Sequence, residues 1–178
     1  IITLLCALEN NKKGVIMAPT EILATQHYAQ MSKLLEGLNV PCCLLTGKMK
    51  KKDKLAMLDL LEKNVAIVVI GTHALIEKYL VFDNCGVIII DEQHRFGVMQ
   101  RILLQEKANN PHCLFMTATP IPRSFMLTCF GDLDKSIIDE LPPGRIPAKT
   151  SVIKEEFLPN IYHFCYQRLI EKEQIFVV

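Results

Sequence analysis

The hydrophobic pattern of this chain consists of short apolar runs separated by segments with helical spacing. The runs are GVIMA at 14–18, PCCLLT at 41–46, VAIVVIG at 65–71, GVIIID at 86–91 and HCLFMTA at 112–118. Each run is continuously apolar instead of alternating with polar residues, which is typical of strands that are covered on both faces. We therefore expect five buried strands.

Two of the intervening segments carry apolar residues at the spacing of one helix face. The first stripe consists of Ala24, Tyr28, Met31 and Leu35, and the second consists of Leu55, Leu58 and Leu61, flanked by Met57 and Leu60. Strands that alternate with helices in this way predict an α/β fold in which a parallel sheet, built with right-handed crossovers, has helices on both faces.

The composition narrows the class of protein. Half of the 178 residues are apolar, which is enough for a sizeable core, and the length suits either one domain or one domain with a fragment of another. The formal charge of +1 gives no overall electrostatic signature of a nucleic-acid binder, so any such binding must come from local features.

The cysteines and the amino-terminal segment indicate a cytoplasmic protein. The seven cysteines are odd in number and form no C-x-x-C pair, which favours reduced, mostly buried thiols over disulfides or a zinc site. The opening IITLLCALE is too short to span a bilayer and lacks the features of a signal peptide, so we expect no membrane association.

A linker is predicted at DELPPGRIPAK, residues 139–149, where three prolines and a glycine interrupt the periodicity. Beyond it we expect a strand near TSVIK, a helix with Ile161, Phe164, Cys165 and Leu169 on one side, and a buried strand that starts at QIFVV. The predicted domains are therefore 1–147 and the start of a second α/β domain at 148–178.

Polar segments follow every predicted strand. They read APT, TGK, GTH, DEQH and TATP in chain order. In an open parallel sheet the ligand crevice lies outside the carboxyl ends of the strands, so all these segments are expected at one edge. That edge is the candidate site.

Asp91 and Glu92 are adjacent carboxylates at the end of a buried strand, where desolvation and mutual repulsion call for a positive partner. A Mg²⁺ ion with nucleoside phosphates would provide it, with Asp91 holding the metal through water and Glu92 orienting or deprotonating the attacking water. The alternative is a helix N-cap, with Asp91 accepting backbone N–H bonds and Glu92 interacting with the helix dipole. These two residues alone leave both interpretations open.

The residues after the acids, and the segment after the fifth strand, add polar groups to the same edge. His94 can form hydrogen bonds across the crevice and respond to the γ-phosphate, although a single histidine is more often a surface residue or a satisfied core residue. Thr117 and Thr119 flank Ala118 in TATPIPR, whose prolines prevent a continuous helix until about Arg123. These hydroxyls can relay between the acids and another surface, although an ordinary strand-to-helix turn uses the same residue types.

Three further loops combine hydroxyls with glycine or proline: Pro19 and Thr20, Thr46 and Gly47, and Gly71 and Thr72 before His73. Such loops bind phosphates through backbone N–H groups, and three on one sheet edge suit a single-strand backbone. The lysine-rich KMKKKDK at 48–54 is either a solvated helix face or a phosphate contact.

Taken in order, MAPTEILATQHY, LLTGKMK, IVVIGTHALI, IIIDEQHRFGVMQR, MTATPIPRS and CFGDLDKSIIDELPPGR resemble the motifs of superfamily 2 helicases of the RecG family. The resemblance covers nearly the whole chain. The transcription-repair coupling translocases share the pattern but usually have Glu where Gln93 stands, and Gln93 with DELPPGR favours the RecG family. A non-catalytic α/β module that binds nucleic acid or protein at the same edge is a further alternative.

The resemblance implies a RecA-like helicase domain that uses ATP and Mg²⁺. It implies that Asp91, Glu92, Gln93 and His94 form a catalytic DExH box, and that Thr117, Ala118 and Thr119 couple hydrolysis to DNA movement. It also implies DNA contacts at Pro19, Thr20, Thr46, Gly47, Gly71 and Thr72. Implied partners are branched or duplex DNA at stalled forks and Holliday junctions, in repair and recombination, and a single-stranded-DNA-binding protein.

One element of the family pattern is missing. The phosphate-binding loop G-x-x-x-x-G-K-[ST] does not occur in these 178 residues, and IITLLCALENN looks like the helix that follows it. We therefore expect a domain that lacks its P-loop and the preceding strand. Without a lysine for the β- and γ-phosphates, the isolated chain is expected to be inactive as an ATPase.

Overall fold

The computed structural model describes residues 1–63, 66–119 and 133–178. The chain forms two compact units, Ile1–Gly131 and Asp132–Val178. The break between the units precedes the proline-rich segment at 139–149, and the domain boundary between residues 147 and 148 stays a prediction.

The first unit contains a five-stranded parallel sheet with the order β2-β3-β1-β4-β5. Its strands are β1 (Lys13–Met17), β2 (Cys42–Leu45), β3 (Val68–Gly71), β4 (Cys85–Ile90) and β5 (His112–Phe115). All five apolar runs are thus confirmed as strands. Because every pairing is parallel, the five carboxyl ends lie at one edge of the sheet, as predicted.

Helices connect the strands in the predicted alternation. They are α1 (Ile2–Glu9), α2 (Glu21–Leu35), α3 (Lys51–Glu62) and α4 (Val98–Glu106), with short 3₁₀ helices at Glu36–Leu38, His73–Ile76 and Gln93–Arg95. The segment IITLLCALE is therefore helical, as expected from its resemblance to the helix after a P-loop. No helix within the described ranges is long and apolar enough to cross a membrane.

The sheet is covered on both faces. On one face Val15 and Ile88 of the sheet pack with Met57 of α3 and Leu104 of α4. On the other face the sheet residues Ile16, Val68, Ile70 and Ile89 pack with residues of α1 and α2. Successive strand residues point to opposite faces, so burial of both faces explains why the strands are continuously apolar.

The predicted stripe of α3 is wrong in part. Leu55 is 57% exposed, whereas Met57 and Leu61 are buried. Met57 and Leu61 are four residues apart and share one helix face. Leu55 lies two residues before Met57, a rotation of about 200°, so it points away from the sheet. The stripe of α2 is confirmed, because Ala24, Met31 and Leu35 are buried.

The strand at the β5 edge is more exposed than the other strands. His112 and Leu114 are exposed, and Cys113 and Phe115 are half-buried, whereas every residue of β1, β3 and β4 is buried. Among the described strands β5 pairs with β4 alone. The exposure of β5 shows that the side of the sheet formed by this last strand has little covering in the described part of the chain.

The second unit contains one long helix, α5 (Leu158–Ile170), preceded by a 3₁₀ helix at Glu155–Phe157. This confirms the predicted helix. The predictions of strands near TSVIK and at QIFVV are wrong, because neither segment is extended in a sheet and Phe176 is 84% exposed. A strand needs a neighbour for its backbone groups, and the described part of this unit offers none.

The prediction that the thiols are mostly buried is wrong for the described cysteines, because Cys85 alone among them is buried, whereas Cys42, Cys43, Cys113 and Cys165 are half-buried and Cys6 is exposed. Cys6, Cys42, Cys43, Cys85, Cys113 and Cys165 are free, and Cys129 lies outside the described residues. Burial raises the pKa of the Cys85 thiol to about 11. A thiol with so high a pKa is almost entirely protonated at neutral pH, which makes it a packing residue instead of a nucleophile.

Candidate active site

A sharp turn carries the two acids out of β4. The Asp91 backbone N–H donates to the Met17 carbonyl oxygen at 2.9 Å, so the pairing of β4 with β1 continues one residue beyond the strand. Glu92 then adopts left-handed backbone angles, with φ 48° and ψ 52°. This conformation is uncommon for a non-glycine residue other than asparagine, and strained positions of this kind cluster at active sites and switch regions.

Both carboxylate oxygens of Asp91 are held by donors. The Glu92 backbone N–H donates to Oδ1 at 2.9 Å, and His27 Nε2 lies 2.8 Å from Oδ2. An ionised carboxylate can only accept, so His27 Nε2 carries the proton and donates. The Asp91 side chain is 20% exposed and the His27 side chain is 26% exposed, so the contact is partly shielded from water.

Glu92 joins the turn after β4 to the segment after β5. His94 Nδ1 lies 3.3 Å from Glu92 Oε2 and 3.3 Å from Thr117 Oγ1. Thr117 Oγ1 is 3.0 Å from Thr119 Oγ1, and the Ala118 backbone N–H donates to Glu92 Oε2 at 3.4 Å. The structure therefore brings together five predicted site residues from two segments: Glu92, His94, Thr117, Ala118 and Thr119.

The geometry disfavours the helix-cap alternative. The 3₁₀ helix at Gln93–Arg95 has no side-chain cap, and the next α-helix begins only at Val98. The N-cap of that helix is Gly97, whose backbone N–H donates to Gln100 Oε1 at 3.1 Å. The one backbone N–H that Asp91 is seen to accept comes from the adjacent Glu92.

Gln93 lies away from this cluster. Its side chain is buried, and its Oε1 accepts a hydrogen bond from Arg101 Nη1 at 3.2 Å. Its backbone N–H donates to the Met116 carbonyl oxygen at 3.0 Å. Arg101 also lies 5.8 Å from the centroid of the Phe115 ring. This placement favours a role for Gln93 in holding the turn against α4 and β5 over direct contact with a nucleotide.

Replacing Gln93 with alanine is expected to lower the free energy of unfolding by about 1–3 kcal/mol, because buried Arg101 loses a hydrogen-bond acceptor. Gln93→Glu keeps an acceptor at this position and should cost less. Urea unfolding at neutral pH measures both. Gln30→Ala on the exposed side of α2 is the control, expected within about 0.5 kcal/mol of the unmodified chain. Equal losses for Gln93→Ala and Gln30→Ala would contradict the assignment.

Four of the predicted DNA-binding residues are accessible at the same edge of the sheet. Pro19 and Thr46 are half-buried, and Thr20 and Gly47 are exposed. Thr20 is also the N-cap of α2, where its Oγ1 accepts from the Leu23 backbone N–H at 3.2 Å. The segment before α2 and the loop after β2 are therefore accessible from solvent.

The other two predicted DNA-binding residues do not reach the surface. Gly71 is buried and Thr72 is 1% exposed. The Thr72 backbone N–H donates to the Leu45 carbonyl oxygen at 3.2 Å. Thr72 Oγ1 has no hydrogen-bond partner among the described residues, so its hydroxyl points into the packed interior. Gly71 and Thr72 therefore contribute to the packing of β2 against β3 and are not accessible to DNA in this structure.

The lysine-rich segment is not a uniform solvated face. Lys48 Nζ lies 3.1 Å from a carboxylate oxygen of Glu21 at the start of α2. Lys54 Nζ lies 3.3 Å from Glu77 Oε2 and 4.3 Å from the centroid of the Tyr79 ring. Lys54 is therefore engaged in a contact that ties α3 to the loop before β4.

Asp91 and Glu92 suit a metal ion that takes most of its ligands from water and substrate and few from the protein. In the parts of the chain that are described, no group of three or more His, Cys, Asp and Glu side chains is arranged to hold an ion. Mg²⁺ is commonly bound by one or two carboxylates together with waters and substrate phosphates, and Asp91 offers such a carboxylate at the open edge. The donor set therefore fits Mg²⁺ with a nucleotide better than a metal cage made of protein alone.

The contact between His27 and Asp91 was not predicted from the sequence. The two residues are 64 positions apart, and His27 resembles an ordinary helix residue. A signal was available, since His27 lies three residues after Ala24 and four before Met31, on the stripe that faces the sheet. A polar residue on a buried stripe near the carboxyl edge is a candidate for contact with the site.

Comparison with known proteins agrees with the geometry. The family model for DEAD/DEAH box helicases matches residues 1–127. A solved structure of RecG bound to a three-way DNA junction superimposes with a TM-score of 0.75 at 37% identity, over 96% of this chain and 23% of that one. Mss116p bound to single-stranded RNA and AMP-PNP shares the fold, with a TM-score of 0.52 at 24% identity, over 70% of this chain and 29% of that one.

The chain therefore belongs to the DEAD/DEAH box helicase family, with a RecA-like parallel sheet. Within that family its similarity to RecG is confirmed. It is 44% identical to the ATP-dependent DNA helicase RecG of Streptococcus pneumoniae over 99% of this chain, and 44% identical to that of Aquifex aeolicus over 100% of it. The chain spans 26% and 23% of the lengths of these two relatives.

Proposed function

We propose that this chain is the first motor domain of a RecG-type ATP-dependent DNA helicase, followed from residue 148 by the start of the second. The observation that carries the proposal is the cluster in which Glu92, His94 and Thr117 meet within 3.3 Å. A motor must connect the residues that act on the nucleotide to a neighbouring segment that can move. Here the connection runs from the turn after β4 to the segment after β5.

In this proposal each acid has a separate task. Asp91 holds Mg²⁺ through water, and its two oxygens are oriented by Glu92 N–H and His27. Glu92 orients the attacking water or takes its proton. When bound, Mg²⁺ neutralises charge on the phosphates. Glu92 contacts both His94 and the Thr117–Thr119 segment. A change at Glu92 during hydrolysis would therefore alter the position of these residues and, through them, of the rest of the motor.

The proposed substrate is branched or duplex DNA, including stalled forks and Holliday junctions in repair and recombination. The accessible residues Thr20, Thr46 and Gly47 would contact the DNA backbone through their N–H groups, which need no net positive charge. Pro19 has no backbone N–H, so it would only pack against the DNA beside Thr20. The RecG relative of known structure is bound to a three-way junction, which supports branched DNA. A cytoplasmic location and a single-stranded-DNA-binding protein partner complete the proposal.

The chain alone is proposed to hydrolyse ATP negligibly. Its sequence contains no G-x-x-x-x-G-K-[ST] loop, so no lysine is placed for the β- and γ-phosphates. Activity tests therefore belong in the full-length helicase proposed to contain this segment.

Asp91→Asn in the full-length helicase is expected to lower DNA-stimulated ATP hydrolysis by about 10- to 100-fold, the usual effect of losing an outer-shell partner of a metal. Binding of DNA should be retained, because Asp91 is not one of the proposed DNA contacts. A coupled assay of phosphate release and a DNA-binding titration measure the two properties. Asp59→Asn, on an exposed carboxylate of α3, is the matched control. Normal hydrolysis by Asp91→Asn would favour a non-catalytic binding module.

A further inference from the structure

His27 is the residue of α2 that contacts Asp91, the carboxylate proposed to hold the metal. The same helix follows the proposed DNA-contact loop at Pro19 and Thr20. α2 begins at Glu21, directly after Pro19 and Thr20. His27 is seven residues beyond Thr20, which places it roughly 10 Å along the helix axis from the N-cap. Its neighbours on the stripe, Ala24 and Met31, are buried against the sheet. The contact of Nε2 with Asp91 shows that the ring is directed towards the carboxyl edge of the sheet.

The two donors to Asp91 come from different elements. The Oδ1 donor is the backbone N–H of the next residue, which moves with the turn that carries Asp91. The Oδ2 donor, His27 Nε2 at 2.8 Å, belongs to α2. Rotation of the carboxylate is therefore limited on one side by its own turn and on the other by a separate helix. Only the second restraint changes when α2 moves.

We propose that His27 is a positioning residue that links engagement of DNA at Pro19 and Thr20 to the orientation of Asp91 towards Mg²⁺. This inference rests on the proposed function. A displacement of α2 on DNA binding would shift Nε2, and the direction in which Asp91 Oδ2 presents its remaining lone pair would follow. His27 acts through Asp91, and it needs no contact with the nucleotide or the DNA.

The test uses two substitutions of His27 in the full-length helicase. His27→Leu keeps an apolar body of similar size but removes the donor. His27→Gln keeps an N–H donor at a similar distance from the backbone. Gln30→Leu, on the exposed side of the same helix, is the control for a change in α2 alone.

Metal binding provides the first readout, and it does not depend on catalysis. The affinity for Mn²⁺ in the presence of ADP is measured by electron paramagnetic resonance. His27→Leu is expected to weaken Mn²⁺ binding by ~10-fold or more, as for other residues that orient a metal ligand. His27→Gln should recover most of this loss, and Gln30→Leu should match the unmodified helicase.

The ATPase rate provides the second readout, measured against Mg²⁺ concentration with and without a three-way DNA junction. His27→Leu is expected to raise the half-saturating Mg²⁺ concentration and to reduce the fold-stimulation by DNA, and His27→Gln should restore both. Unchanged Mn²⁺ affinity in His27→Leu, or a His27→Gln variant as impaired as His27→Leu, would overturn the proposal. A fall in melting temperature with normal metal affinity would assign the histidine to packing alone.

The Asp91→Asn variant separates this inference from the proposed function. If Asp91→Asn loses hydrolysis while His27→Leu binds Mn²⁺ normally, the motor assignment stands and the positioning role fails. If Asp91→Asn hydrolyses ATP normally, the proposed function itself fails.

Discussion

Replacing Glu92 with glutamine in the full-length helicase is expected to lower ATP hydrolysis by about 10²- to 10⁴-fold, the usual contribution of a general base. Glutamine has the same shape and keeps an oxygen that can accept from the Ala118 backbone N–H, which Glu92 Oε2 does at 3.4 Å. It cannot take a proton from water. The loss should therefore fall on the chemical step, with DNA and nucleotide binding largely retained.

Single-turnover hydrolysis of bound ATP measures that step directly. Glu106→Gln, an exposed glutamate near the end of α4, carries the same change of charge outside the site and should be unaffected. A Glu92→Gln variant that hydrolyses ATP at the normal rate would show that the adjacent acids do not perform nucleotide chemistry.

Gly71→Ala is expected to lower the free energy of unfolding by about 1–3 kcal/mol, the usual cost of overpacking a core. A Cβ atom at Gly71 would lie 2.3 Å from the Leu45 carbonyl oxygen and 3.0 Å from Leu75 Cγ. The first neighbour is backbone of the adjacent strand β2, which cannot rotate away. The pairing of β2 with β3 would have to open at Leu45 and Gly71, its last register pair.

Gly47→Ala is the matched control, because a Cβ there meets only Glu21 Oε1, at 3.9 Å. Its free energy of unfolding should change by less than about 0.5 kcal/mol. Urea titration of both variants gives the comparison. An unchanged unfolding midpoint for Gly71→Ala would contradict the packing role, whereas weaker DNA binding by stable Gly47→Ala would support contact at that loop.

Much of the fold follows from local pattern. Continuous apolar runs, separated by helical spacing, predicted five parallel strands with helices on both faces, and the structure confirms them. The prediction succeeds because burial of both faces favours apolar side chains at successive positions of the central strands. It failed for Leu55 and for QIFVV, where an apolar residue or segment has no surface to cover it in the described chain.

The site was predictable as a set of segments and not as a set of contacts. Parallel strands necessarily bring their carboxyl ends to one edge, so DEQH and TATP could be placed together from the sequence. The amino-acid sequence does not show which side chains of these segments are buried and which face the site. The left-handed backbone of Glu92 precedes a buried Gln93 that bonds Arg101, while Glu92 itself meets His94.

The order of residues along this chain is sufficient for the strand count, the shared edge and the pair of acids, because these depend on neighbours in the sequence and on a repeating backbone geometry. The partners of those residues depend on how α2, β2 and β5 approach the edge in space. His27 reaches Asp91 across 64 positions, and Thr72 is closed off by packing against its neighbours. Such contacts arise from the arrangement of whole elements, which no short stretch of sequence contains.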